Sequence, residues 1–128
     1  MSKGPETGGR IAVLVVDDEF LVRMHTVEML RQTGFDVEEA SNSDEALRKL
    51  NGGGSRLDAL VTDVQMPGAM NGYGLAKRVH DLFPEAAIVV ISGVAGPSPG
   101  DMPANAIFLT KPLVPERLVR AINDALSP

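Results

Sequence analysis

Residues Ile11 to Val16 read IAVLVV, six apolar side chains in succession and mostly β-branched. A strand sends alternate side chains to opposite faces, so a strand with no polar position needs cover on both faces. That places the run inside a parallel sheet layered with helices and rules out a meander with one wet face. The run stops abruptly at Asp17, Asp18 and Glu19. Ala86 to Ile91, ended by Ser92, is another continuous apolar run, and Leu57 to Thr62, ended by Asp63, reads as a further strand. Phe35 to Ala40 and Ala106 to Leu109 read as shorter strands, the second lying just before Lys111.

Helical signals fill the intervals. Phe20, Leu21, Met24, Val27, Met29 and Leu30 recur near helical spacing, and Gly34 follows as a stop. Ser41, Asn42 and Ser43 offer caps to a helix carrying Ala46, Leu47 and Leu50, which gives way to a glycine-rich loop from Asn51 to Ser55. Tyr73 to Phe83 reads as a helix ended by Pro84. Val114 to Leu126 is amphipathic, with Leu118, Val119, Ile122 and Leu126 on one stripe and Pro115 suited to its first turn. Strand–helix alternation also calls for a helix between Ser92 and Ala106. There, however, Gly93, Gly96, Pro97, Pro99, Gly100 and Pro103 predict a loop or at most one turn.

Strands alternating with helices imply an α/β, doubly wound parallel sheet. Such sheets bind ligands beyond the carboxyl ends of their strands. The side chains at those ends are Asp17, Asp18, Glu19, Asp63, Ser92 and Lys111. If these strands are neighbours, their end residues converge on one crevice. Two carboxylates 4 Å apart repel by about 4 kcal/mol at an effective dielectric of 20, so such a cluster calls for a cation. A donor set made only of oxygen suits Mg²⁺, which takes one or two carboxylates and keeps open positions for a phosphate oxygen. Lys111 adds a point charge for a phosphoryl oxygen, Ser92 a hydroxyl donor, and an Asp beside the metal can act as nucleophile.

Composition removes the competing classes. With 128 residues, 44% apolar and 23% charged, the chain is one ordinary soluble domain. The absence of cysteine excludes a disulfide scaffold, a thiol nucleophile and thiolate metal sites, and two histidines make a His-rich centre improbable. A net charge of −5 argues against binding to nucleic acid or an anionic membrane surface. No apolar run approaches the ~20 residues of a membrane span. Residues 1–10 are polar, contain Gly and Pro, and read as a flexible leader before a domain over 11–128. A cytoplasmic protein is expected.

As a set, these motifs resemble the response-regulator receiver domain of two-component signalling. The matching residues are Asp17-Asp18, Asp63 with Met66-Pro67-Gly68 behind it, Ser92, and Lys111-Pro112; the likeness runs from residue 11 to 126. It implies a flavodoxin-like, five-stranded sheet of order 2-1-3-4-5, with a fourth helix short or absent here. Asp63 would be the phosphoacceptor. Asp18, Asp63 and the backbone carbonyl of Gln65 would ligate Mg²⁺, with Asp17 acting largely through water. Ser92 and Lys111 would contact the phosphoryl group, Pro112 would follow a cis peptide, and Ser92 with Phe108 would form the switch. Gln65 and Val94 fall where the family tunes dephosphorylation.

The resemblance implies a phosphorylatable switch that takes phosphoryl from a histidine kinase or phosphotransfer protein, passes the signal to a downstream protein, and is no enzyme beyond its own phosphorylation and dephosphorylation. A stand-alone, chemotaxis-regulator-like monomer is the leading expectation, with a dimer open. The alternatives are a module of a hybrid histidine kinase or longer regulator, and a docking-only pseudo-receiver. A haloacid-dehalogenase-type phosphatase would need a second Asp two residues beyond its nucleophile, and position 19 is Glu. Two departures from the family stand out. Ala69, Met70 and Asn71 lengthen the loop before Gly72, and residues 93–105 look unable to form the fourth helix.

Overall fold

The computed structural model describes residues 10–51, 56–93 and 96–126. The leader up to residue 9, most of the loop predicted over Asn51 to Ser55, Val94 and the last two residues of the predicted domain lie outside the described residues. The chain runs β1 (Ala12–Val16), α1 (Phe20–Thr33), β2 (Asp36–Ala40), α2 (Ser43–Leu50), β3 (Ala59–Asp63), α3 (Gly72–Leu82), β4 (Ala87–Ser92), β5 (Ile107–Thr110) and α4 (Pro115–Leu126). The five strands form one parallel sheet in the order β2-β1-β3-β4-β5. Ile11, Phe35, Leu57, Asp58, Ala86 and Ala106 fall just outside the strands predicted to include them, and Asp63, Ser92 and Thr110 extend β3, β4 and β5 by one residue each.

The continuous apolar strands behave as their composition requires. β3 and β4 are buried at every position, and β1 from Val13 onward. Alternate residues serve opposite layers. Leu14, Val16, Leu60, Ile88 and Val90 pack with Leu75, Ala76 and Val79 of α3 and Ala46 of α2. Val13, Val15, Val61, Val89 and Ile91 pack with Leu30 of α1 and Leu118 and Ile122 of α4. Helix ends follow their local signals. Gly34 takes a left-handed conformation (φ 109°) and closes α1, while the Asn42 side chain caps α2 by accepting the Glu45 N–H at 2.8 Å. Glu45 returns the bond by accepting the Ser41 N–H at 2.8 Å.

Among the described residues no helix lies between β4 and β5. Two turns take its place. The Asp101 N–H donates to the Ser98 carbonyl (3.0 Å) and the Ser98 N–H donates to the Asp101 carboxylate (2.8 Å). Pro99 and Gly100 (φ 88°) occupy the corner, the pattern of a type II turn. A second turn closes where the Ala106 N–H donates to the Pro103 carbonyl at 3.0 Å. Met102, Ala106 and Phe108 pack on the α3 side of the sheet and complete that layer.

Helix α1 departs from its pattern. Only Thr26, Val27 and Leu30 are buried, whereas Phe20 is 60% and Leu21 71% exposed. Leu30→Ala is therefore expected to cost about 2–5 kcal/mol in chemical denaturation. Leu21→Ala, nine residues away and so on the opposite face of the helix, should stay within about 0.5 kcal/mol of the native protein. Equal losses would mean that Leu21 is packed.

Candidate functional site

Parallel register brings the end residues together. Val16 is paired with Thr62, so Asp17 and Asp63 emerge side by side from β1 and β3. Ser92 is paired with Thr110, so Lys111 leaves β5 beside Ser92, and its N–H donates to the Ser92 carbonyl at 2.9 Å. One carboxylate oxygen from each of Asp17, Asp18 and Asp63 lies within 4.8 Å of the other two. The Lys111 Nζ stands 3.4 Å from Asp63 Oδ1. Asp18, Asp63, Gln65, Ser92, Gly93 and Lys111 line a single open pocket. The Lys111–Pro112 peptide is cis.

Each group is held by its own surroundings. Asp17 is buried; its Oδ1 accepts the Glu19 N–H at 2.9 Å, and its own N–H donates to the Ala40 carbonyl. Asp18 is exposed toward the pocket. Gln65 follows β3 in a loop that carries the three residues predicted to lengthen it. Its neck closes where the Gly72 N–H donates to the Val64 carbonyl (2.8 Å), Met66 is sunk into the core, and the Met70 carbonyl accepts the Ser43 hydroxyl (3.1 Å). Ser92 is buried on the same sheet face as Val90, and Phe108, paired with Val90, packs on that layer too.

Arg23 is a contributor the sequence did not single out. Its guanidinium donates to the Asp17 carbonyl and to the Glu39 carboxylate, both at 2.8 Å, and lies 5.6 Å above the Phe20 ring. It therefore ties the acidic loop to the end of β2 and the start of α1. Its only sequence signal is a basic residue one helical turn after Glu19.

Burial raises the pKa of both inner carboxyls. For Asp17 the Glu19 N–H opposes this, while the charges of Asp63 and Asp18 add to it. For Asp63 the main opposing influence is the Lys111 ammonium. An all-oxygen set of mutually repelling carboxylates fits a hard divalent cation.

A folded-state pKa above the unfolded value means that the native state binds the proton more tightly. Stability contributed by Asp17 is then fully present below its ordinary value of 3.8 and is lost as pH rises through the raised folded value. In chelator at neutral pH, Asp17→Asn keeps an acceptor for the Glu19 N–H and removes a repelling charge. It should melt a few degrees above the native protein, with the gap closing on acidification. A gap independent of pH would show that charge is not the cause.

Comparison with known proteins gives the same reading from a different direction. Residues 13–123 match the response regulator receiver domain family. The chain is 33% identical over 118 residues to the chemotaxis protein CheY of Thermotoga maritima, covering 87% of this chain and 93% of that one. It is 33% identical over 129 residues to the sensor kinase CckA of Brucella abortus, where it covers 98% of itself but spans only 14% of the kinase. The crystal structure of a response regulator receiver protein from Sinorhizobium medicae superposes with a TM-score of 0.80 at 27% identity, over 91% of this chain and 94% of that one. Sequence match, sheet order and strand-end chemistry coincide on the same span, and the chain belongs to the response regulator receiver domain family.

Proposed function

We propose that Asp63 accepts a phosphoryl group from a phosphohistidine donor and that this chain is thereby a signalling switch. The observation that carries the reading is the Lys111 ammonium, 3.4 Å from Asp63 Oδ1, in the pocket that Asp18 and Asp63 line. An Asp63 carboxylate oxygen attacks phosphorus and the P–N bond to the donor imidazole breaks. The imidazole keeps the electron pair and takes a proton from solvent. Asp18, Asp63 and the Gln65 carbonyl would hold Mg²⁺, with Asp17 behind them, and the ion would supply the positive charge that lets a phosphoryl group approach the carboxylates.

The acyl phosphate carries about two negative charges. Lys111 then pairs with a phosphoryl oxygen, and the Ser92 hydroxyl turns to donate to another. Ser92 and Phe108 share one sheet face, so a change at Ser92 has a direct route to β5. The chain acts on its own phosphorylation state and on no other substrate. A pseudo-receiver used only for docking has no use for a carboxylate cluster with a lysine set against it.

A protein phosphodonor also suits the surface. Phe20, Leu21 and Met24 of α1 and Val114 are large exposed hydrophobics. Leu21 and Lys111 line one groove with His25, Met29 and Leu113, so the apolar surface runs up to the site. Among the described residues no helix is long and apolar enough to cross a membrane, and we place the switch in the cytoplasm with its kinase or phosphotransfer partner. The site chemistry serves equally a separate regulator, as the match to CheY along nearly its full length suggests, or one module of a longer kinase, as the CckA match suggests.

With Mg²⁺ and acetyl phosphate, the native protein should gain one phosphoryl by intact mass, and Asp63→Asn none. A phosphorylated Asp63→Asn variant would overturn the assignment. Leu21→Glu should remain within about twofold of native with acetyl phosphate yet lose about tenfold or more with a phosphohistidine protein, roughly 1.4 kcal/mol of docking. Equal loss with both donors would move the docking surface elsewhere.

A further inference from the structure

We propose that Gly72, the first residue of α3, is a positioning residue for the phosphoacceptor, because its bare α-carbon lets the helix press directly on the Asp63 backbone. The inference rests on the proposed role of Asp63. A Cβ built at Gly72 would stand 2.0 Å from the Asp63 carbonyl oxygen and 2.8 Å from both the Asp63 carbonyl carbon and the Val64 Cα. All three are backbone atoms, so no side-chain rotation can make room. Gly72 is buried and is not one of the positive-φ glycines, which among the described residues are Gly34, Gly68 and Gly100. Its backbone conformation is open to any residue, and alanine is the better helix former. Close approach is the feature that requires glycine here.

The contact sits at the neck of the lengthened loop. The Gly72 N–H holds the Val64 carbonyl at 2.8 Å, and Asp63 and Gln65 flank Val64 in sequence. The Asp63 carboxylate and the Gln65 carbonyl are thus levered from one clamped point, and the added residues Ala69 to Asn71 lie beyond the neck. Any Cβ at position 72 drives the clamp apart by about an ångström, and a displacement of that size costs a reacting constellation on the order of a hundredfold.

Gly74 supplies a matched control. It lies in the same helical turn, and a Cβ there would meet side chains and no backbone: the flexible Met70, at 2.7 Å from its Cγ, and Asn71 Oδ1 at an ordinary contact distance of 3.9 Å. Gly72→Ala and Gly74→Ala would be compared with native protein at a temperature where circular dichroism shows all three folded. Acetyl phosphate-driven phosphorylation would be followed by mass, and Mg²⁺ affinity by titration of backbone amide resonances. Gly74→Ala should stay within about twofold of native on both readouts, and Gly72→Ala should lose at least about tenfold on both. A folded Gly72→Ala variant that matches Gly74→Ala overturns the proposal. Native protein that neither binds Mg²⁺ nor takes up phosphoryl overturns the Asp63 reading, and this inference with it. Should Gly72→Ala not fold, the native protein decides: on Mg²⁺ saturation the Val64 and Gly72 amides should shift well beyond that of Gly74, and a uniform response overturns the proposal.

Discussion

Three carboxylates are held within reach of one another at the carboxyl edge of a sheet that gains nothing from their meeting. Burial disfavours the charge on two of them, and their mutual repulsion adds to it. The rest of the molecule supplies what keeps them there. β1 and β3 lie side by side because both faces of each strand are buried in apolar layers, and a one-residue slip from the pairing of Val16 with Thr62 would turn every side chain to the wrong layer. Lys111 offsets part of the repulsion at 3.4 Å, and a bound divalent cation would relieve more. The site is a local departure from the chain's own stability rules, sustained by a core that obeys them.

That division explains how legible the chain was. Runs with no polar residue announce buried parallel strands, and parallel strands announce a functional edge, so Asp17, Asp18, Asp63, Ser92 and Lys111 could be placed from sequence alone. What stayed hidden depends on distances across the fold. Phe20 and Val27, seven residues apart, look equivalent in a helical pattern, yet Val27 is buried and Phe20 is 60% exposed. Arg23 looks like any surface arginine until its two bonds to the Asp17 carbonyl and Glu39 are seen. Gly72 follows Asn71 and reads as a turn glycine; nothing in the pattern reveals the Asp63 carbonyl pressed against it.

Arg23 also links two features that seem separate. The same guanidinium fixes the acidic loop and lies over Phe20, the first residue of an exposed apolar face. A protein seated on that face would touch the residue against which Arg23 packs. Partner binding and the order of the acidic loop therefore share one side chain. A phosphodonor bound there would find the carboxylates already braced.

The segment between β4 and β5 carries the argument furthest from the family pattern. Its prolines and glycines exclude a regular helix, yet they do not leave the strand uncovered. Pro99 and Gly100 set a turn that Ser98 and Asp101 close with two hydrogen bonds, and Met102 and Ala106 fill the layer beside Phe108. Such a turn is already ordered by its own backbone, so it has less conformational entropy left to lose when a partner engages it. If Phe108 moves when Ser92 turns toward a phosphoryl group, the surface that feels it first is this pair of turns. The signal then reaches a partner as a change in the shape of a turn, at the place where a receiver with a fourth helix would present a helical face.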